Sequence, residues 1–212
     1  MKRLLYYFLT IILFTSQSLS AQNNNSAEKI VSDILLNAKN NAIKSNFKLI
    51  ISNKKESQSQ SSSGVFTLKG SKFVLEMDEM KVWFDGKTQW AYVAQNKEVS
   101  ITEPTEKELS ETNPLAILSA YKSKCFINFI KSNSASIYTI EMTPKVKNND
   151  ILRIDIQINK SNMNLISIKQ LNRNGNTTFV TFSDYQKELN LPDKVFTFDA
   201  SKFKNAIIND LR

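Results

Sequence analysis

From Gly64 to Ile101, GVFTLKGSKFVLEMDEMKVWFDGKTQWAYVAQNKEVSI, short runs alternate apolar and polar residues between turn signals. This is the pattern of consecutive antiparallel strands. Asp85-Gly86 is the clearest turn. A type I′ turn needs positive φ at both central residues, which Gly adopts freely and Asp tolerates, so Trp83-Phe84 and Gln89-Trp90 are expected to pair in one hairpin. Apolar residues recur at alternate positions: Phe66 and Leu68, then Phe73, Leu75 and Met77, then Trp90 and Tyr92, then Val99 and Ile101. They read as one apolar face of a twisted sheet.

The rest of the chain supplies strands and cover for that sheet. Ser26 is placed to cap a helix in which Ile30, Val31, Ile34, Leu35, Ala38 and Ala42 recur at helical spacing. From Asn46 the period becomes two, with Phe47, Leu49 and Ile51 on one side of a strand. The serine-rich run Ser52 to Ser63 reads as a polar connection. Thr105-x-x-Glu108 has the form of a capping box, and Asn113-Pro114 opens a second helix carrying Leu115, Ile117, Leu118 and Tyr121. Alternation then resumes through Tyr138, Ile140 and Met142; Ile154, Ile156 and Ile158; Leu165, Ile166 and Ile168; and Phe179, Val180 and Phe182, with a hairpin signal at Asn174-Gly175. A strand over Val195 to Phe198 and a helix from Asp199 are expected at the end. The expected fold is mainly β, with helices added. One large curved antiparallel sheet of about eleven strands is covered by the N-terminal helix and short central helices.

The chain has 212 residues, enough for one domain with a sizeable core. It opens with a basic pair, Lys2-Arg3, an apolar run from Leu4 to Phe14, and small residues at Ser18, Ser20 and Ala21. That is the form of a secretory signal peptide over residues 1–21, leaving one domain over 22–212. The apolar run falls short of the roughly 18 residues that suggest a membrane span. Removing Lys2 and Arg3 lowers the formal charge from +8 to +6. The remaining charges are uneven. Glu98, Glu103, Glu106, Glu108 and Glu111 cluster, while Lys122, Lys124, Lys131, Lys145, Lys147, Arg153 and Lys160 dominate further on. Such runs are usually solvated faces; here they are also a candidate for orienting the protein on membrane partners.

Chemistry is sparse. Histidine is absent, which removes the commonest metal ligand and the commonest general base. Cys125 is the single cysteine and reads as a small buried hydrophobe. Asp78 and Glu79 are adjacent, and successive residues on a strand point to opposite faces, so they cannot share a substrate. No catalytic, metal or cofactor site is expected. Trp83, Trp90 and Tyr92 offer rings on which bases could stack, but Lys and Arg do not interleave with them, so no nucleic-acid partner is expected. What remains is apolar surface, either an ordinary core or a face left partly open for an apolar ligand.

Several segments resemble the LolA-type periplasmic carriers of outer-membrane lipoproteins. They are Gly64-Val-Phe-Thr-Leu-Lys69 with Phe73; Phe84-Asp-Gly-Lys-Thr-Gln-Trp90 with Tyr92, similar to that family's S-D-G-K-T-L-W-x-Y; Asn113-Pro-Leu-Ala-Ile-Leu118; and the late segments around Asn174-Gly175 and Phe196-Thr-Phe198. The resemblance implies an open half-barrel with a helical lid over an apolar cavity for lipoprotein acyl chains. It implies acylated lipoproteins as cargo, an inner-membrane ABC-type release complex as donor, and the outer membrane or an acceptor there as destination. A soluble monomer without cofactors follows from the same likeness. No cysteine follows Ala21 to accept a lipid, which points to the soluble carrier rather than a lipidated acceptor. A regulatory or lipid-sensing module of the same fold is the alternative. Where family members carry Arg-Pro after the strand, this chain has Gly70-Ser71, and Asp199-Ala-Ser-Lys-Phe203 replaces their Pro-rich element near the end.

An exposed acyl tail costs about 0.8 kcal/mol per CH₂, so lipoproteins do not cross water unaided. The candidate cargo-binding face is Phe47, Leu49, Phe66, Leu68, Phe73, Leu75, Trp90 and Tyr92, with Ile34, Leu35, Ile117 and Leu118 on the lid.

Overall fold

The structure is a computed structural model that describes residues 26–53, 59–106, 108–109, 113–132, 134–147 and 149–212. The expected signal peptide, residues 1–21, lies outside the described residues. Helix α1 (Ala27–Asn40) starts where Ser26 accepts a hydrogen bond from the Lys29 amide at 3.1 Å, with Glu28 in its first turn and Lys39 in its last. Cap and charges match the orphan amides and the dipole at each end. Ala27, Ile30, Val31, Ile34 and Ala38 form its buried stripe.

A meander follows: β1 (Ala42–Asn53), β2 (Ser59–Lys69), β3 (Lys72–Met77), β4 (Met80–Phe84), β5 (Gln89–Val93) and β6 (Glu98–Thr102). Helix α2 (Pro114–Tyr121) then carries the chain across to β7 (Cys125–Phe129) at the opposite edge of the same sheet. A second meander, β8 (Ile137–Pro144), β9 (Ile151–Asn159), β10 (Leu165–Asn172) and β11 (Asn176–Leu189), returns to pair β11 with β1. Finally β12 (Ile207–Asp210) lies parallel to β6. The sheet has twelve strands in the order β12-β6-β5-β4-β3-β2-β1-β11-β10-β9-β8-β7 and does not close into a barrel. Yet α1 touches both β2 and β7, strands far apart in that order. The sheet therefore curls around the helix.

Both expected helix starts are built from side chains. The Thr105 amide donates to Glu108 Oε2 at 2.7 Å while the Glu108 amide donates to Thr105 Oγ1 at 3.4 Å. The bond from the Thr105 amide and then the one its hydroxyl donates to the same oxygen at 2.8 Å hold the Glu108 carboxyl below its usual range. Asn113 Oδ1 accepts from the Leu115 and Ala116 amides at 2.9 and 3.3 Å, just ahead of the position where Pro114 lacks an N–H to satisfy.

Four expectations are corrected. The serine-rich run is mostly strand, since β1 runs to Asn53 and β2 starts at Ser59; inter-strand pairing overrides the turn-like composition of that run. The loop at Asp85-Gly86 is not a two-residue type I′ turn. Only Gly86 has positive φ there, +105°. The loop spans residues 85–88, and the Asp85 carboxylate accepts from the Lys87 and Thr88 amides at 2.9 and 2.8 Å. Trp83 still pairs with Trp90 and Phe84 with Gln89.

That register produces the third correction. Phe73 faces Phe84 and Leu75 faces Val82, so Ala91, opposite Val82, continues the face of Phe66 and Leu68. Trp90, Tyr92, Val99 and Ile101 lie on the other face, because Tyr92 pairs with Val99 and Trp90 with Ile101. Alternation fixes which residues of one strand share a face, whereas the register decides how that face continues on the next strand.

Fourth, the end of the chain is not a strand followed by a helix. Short 3₁₀ turns at Asp193–Phe196 and Ala200–Lys202 lead into β12. Residues 191–206 form a strap over the outer face, where Phe196, Val74 and Trp83 are buried together and Trp90, Tyr92, Phe198 and Phe203 pack around them. Phe198 and Phe203 meet the Trp83 ring edge-on at 5.4 and 5.6 Å, and Phe203 sits 4.7 Å from Tyr92. At the front of the strap Asp193 pairs with Lys72 at 2.6 Å and Lys69 at 3.2 Å, and Lys69 also donates to the Leu191 carbonyl at 2.7 Å.

Two predictions follow from these contacts. A Cβ on Gly64 would collide with the Glu76 carbonyl across the strand pair and touch the Phe47 ring. Gly64→Ala is therefore expected to cost about 1–3 kcal/mol in urea unfolding, the usual range for overpacking; wild-type stability would show that the pair can separate freely. The bonds from Lys72, then Lys69, hold the Asp193 carboxyl below its ordinary range. A depressed folded pKa means that the clip stabilises above the ordinary carboxylate pKa and is lost as pH falls through the lowered value. Acid should thus expose Trp83 and shift tryptophan emission to the red, and Asp193→Asn should show that shift already at neutral pH. Identical emission profiles for the two proteins would rule out the clip.

Candidate functional site: the concave face and its helical cover

The concave face is built from residues that alternate on every strand. On the first meander Ile43, Leu68, Phe73 and Phe84 form one row across the strands, and Phe66, Leu75 and Val82 form the next. Phe73 stands 6.2 Å from Phe66 and 5.4 Å from Phe84, ring centre to ring centre. On the second meander Val180, Ile168, Ile156 and Ile140 continue across β11, β10, β9 and β8. Met142, Ile154 and Ile158 are buried on the same side. The two halves meet where Phe47 pairs with Phe182 and Leu49 with Val180.

Of the residues expected at the site, Phe47, Phe66, Leu68, Phe73 and Leu75 are buried together on this floor, and Leu49 packs against it partly buried. Ile34, Ile117 and Leu118 are buried in the same cluster from the helical side, with Leu35 half-covered. Trp90 and Tyr92 do not belong to it. They face outward under the strap, for the register reason given above. Sequence reasoning left out the floor supplied by the second meander, Ile140, Met142, Ile154, Ile156, Ile158 and Ile168. The period-two runs of isoleucine there were its signal.

The floor is not an empty hollow. Ile30, Val31 and Leu118 from the helices and Phe73, Ile140, Ile154 and Ile156 from the sheet are all essentially shut off from water. Three hollows on the protein, of about 490, 410 and 580 Å³, lie away from the helix stripe, two of them at the margin of the floor where Tyr138, and Met77 with Met80, pack against it. They are at the Phe129–Thr139 end of β7 and β8, beside Ser201–Ala206 of the strap, and between Ser61–Ser63 and the turn at Asp78-Glu79. Of the two readings of this apolar surface, the described residues show the packed one beneath the helices, not the open cavity that the family resemblance implies: the protein's own lid covers the floor.

The manner of that filling matters. Among the described residues, the bond from the Gly70 amide to the Ala38 carbonyl, 3.0 Å, is the sole hydrogen bond between α1 and the sheet. It occupies one of the orphan carbonyls in the last turn of the helix. Gly70 has φ +64°. Everything else that holds α1 down is apolar contact, which is non-directional. Cys125 is buried on the concave side of β7 within this cluster, and burial pushes its thiol pKa up. No described helix is long and apolar enough to cross a membrane.

Likenesses to solved structures are found at low sequence identity. An uncharacterized conserved protein from Thermus thermophilus superposes with a TM-score of 0.53 at 9% identity, covering 87% of this chain and 98% of that one. A LolA superfamily protein from Nitrosomonas europaea gives 0.42 at 12% identity, covering 83% and 99%. The MucA/MucB complex of Pseudomonas aeruginosa gives 0.40 at 11% identity, covering 82% of this chain and 61% of that one. No curated protein matches the chain in sequence. The family model described as outer membrane lipoprotein carrier protein LolA matches residues 17–190. With that match spanning most of its length, over a curled open sheet capped by an amphipathic helix, the chain belongs to the LolA family of outer membrane lipoprotein carriers.

Proposed function

We propose that this protein is a periplasmic carrier, without enzymatic activity, that takes lipoproteins from an inner-membrane ABC-type release complex, shelters their acyl chains on the concave face, and delivers them to the outer membrane or an acceptor there. The observation that carries the reading is the contrast between the apolar area under α1 and the single hydrogen bond that fastens it. Family membership supports it as well.

The magnitudes favour exchange. Uncovering Ile30, Val31 and Ile34 costs on the order of 6 kcal/mol at about 2 kcal/mol per large side chain. A chain of about sixteen carbons leaving water returns about 12 kcal/mol. An acyl chain can therefore replace the helix stripe against the same floor, and the helix can replace the chain at release. A lid held by oriented hydrogen bonds would leave broken donors and acceptors in an apolar site. This lid leaves almost none.

Depletion of the protein is expected to leave lipoproteins in the inner membrane; normal sorting would count against a carrier. The lid makes a finer prediction. Ile34→Ala should lower stability by about 2–4 kcal/mol. It should also bind a fluorescent acyl chain more tightly than wild type, because less helix contact has to be displaced. Labelling of Cys125, the single cysteine, should speed up in the same variant. Weaker acyl binding by Ile34→Ala would mean that α1 is part of the binding surface rather than its competitor.

A further inference from the structure

We propose that Phe126, Val146 and the lysines around them form a surface that docks onto an anionic lipid bilayer. Phe126 stands on β7, an edge strand, with 59% of its surface exposed, and Val146 is 69% exposed. The Lys145 amide donates to the Lys124 carbonyl at 2.9 Å, and Lys145 Nζ donates to the Ser123 carbonyl at 3.0 Å. These bonds bring the two strand ends together, with Lys145 Nζ 5.9 Å from the Phe126 ring centre and Lys124 Nζ 5.6 Å from that of Tyr121. Arg173 donates to the carbonyls of Lys147 and Asn149 and so fixes the segment that follows Val146.

The charges choose the partner. Lys122, Lys124, Lys145 and Lys147 form no ion pair among the described residues. Asp150 acts electrostatically on Tyr121, the residue that precedes Lys122. A second copy of this chain would bring the same lysines face to face and be repelled. An anionic bilayer offers phosphates to the lysines and, just beneath, an apolar layer to Phe126 and Val146. Buried apolar surface and electrostatic attraction are the two contributions that hold a protein at an interface. Lysines near such a surface contribute about 1 kcal/mol each, and a few of them with two apolar side chains give attachment that remains reversible. The patch adjoins the lid, because α2 runs through Tyr121 and the turn at Lys122–Lys124 directly into β7. The proposal rests on the carrier reading for its purpose, since a carrier that delivers cargo to the outer membrane itself must meet a bilayer, but its geometry stands apart from the concave face.

The test is sedimentation of the mature protein with vesicles of phosphatidylcholine alone and of phosphatidylcholine mixed with phosphatidylglycerol. The protein is expected to sediment with the mixed vesicles and be released by salt. Lys124→Gln and Lys145→Gln should each lower partitioning about fivefold. Phe126→Ser should lower it further, while Lys87→Gln, on the far meander, should leave it unchanged. Unfolding midpoints check that each variant is folded. No sedimentation with mixed vesicles, equal sedimentation with both kinds, or wild-type binding by the Lys124, Lys145 and Phe126 variants would overturn docking. Acyl-chain binding by the same variants is read in parallel. Wild-type acyl binding with lost vesicle binding supports docking. Absent acyl binding in the wild type, with vesicle binding intact, counts against the carrier reading and leaves docking standing.

Discussion

The contact between the stripe of α1 and the curled sheet is the constraint on which the rest depends. A sheet of twelve strands with apolar residues on its inner curve cannot leave that curve in water, and it does not close on itself to hide it. The helix bridges β2 and β7, strands that the sheet order sets far apart, and so fixes how tightly the sheet rolls. The sheet in turn gives α1 its reason to exist, since a helix of fourteen residues is marginal in water without packing. Neither part is stable in this form alone.

That mutual dependence sits on one side of the sheet. On the other side the strap covers Val74 and Trp83, so β3 and β4 are apolar on both faces. The molecule is layered there as helix, sheet and strap. The two covers are fastened differently. The strap is held by ring-on-ring contacts, a pair of lysines on Asp193 and the parallel strand β12, whereas α1 has apolar contact and one backbone bond. The more loosely fastened cover lies over the larger apolar surface, which is the arrangement a lid requires.

Much of this is legible in the sequence. Caps at Ser26, Thr105 and Asn113 work as their residue types suggest, because a side-chain oxygen next to orphan amides is a local matter. The alternation inside each strand is equally local. What the residues do not carry is the phase between strands. The pairing of Trp83 with Trp90 is found as expected, but β3 sets Phe73 against Phe84 and Val74 against Trp83, and that register turns Trp83, Trp90 and Tyr92 outward. A hint lay in the unbroken apolar triplets Phe73-Val-Leu75 and Val82-Trp-Phe84, which mark strands covered on both faces. Whether the concave face is filled was beyond periodicity, since the same alternation lines a packed core and an open one.

The path of the chain through α2 carries a consequence for folding. Each meander pairs neighbours in sequence, so each can zip up through short loops. The seam of Phe47 with Phe182 joins residues from opposite ends of the chain. Loop closure over so long a segment carries an entropic penalty that short hairpins avoid. The seam between β1 and β11 is thus the costliest pairing to close, and closing it brings the second meander to α1, which completes the packing that the helix needs.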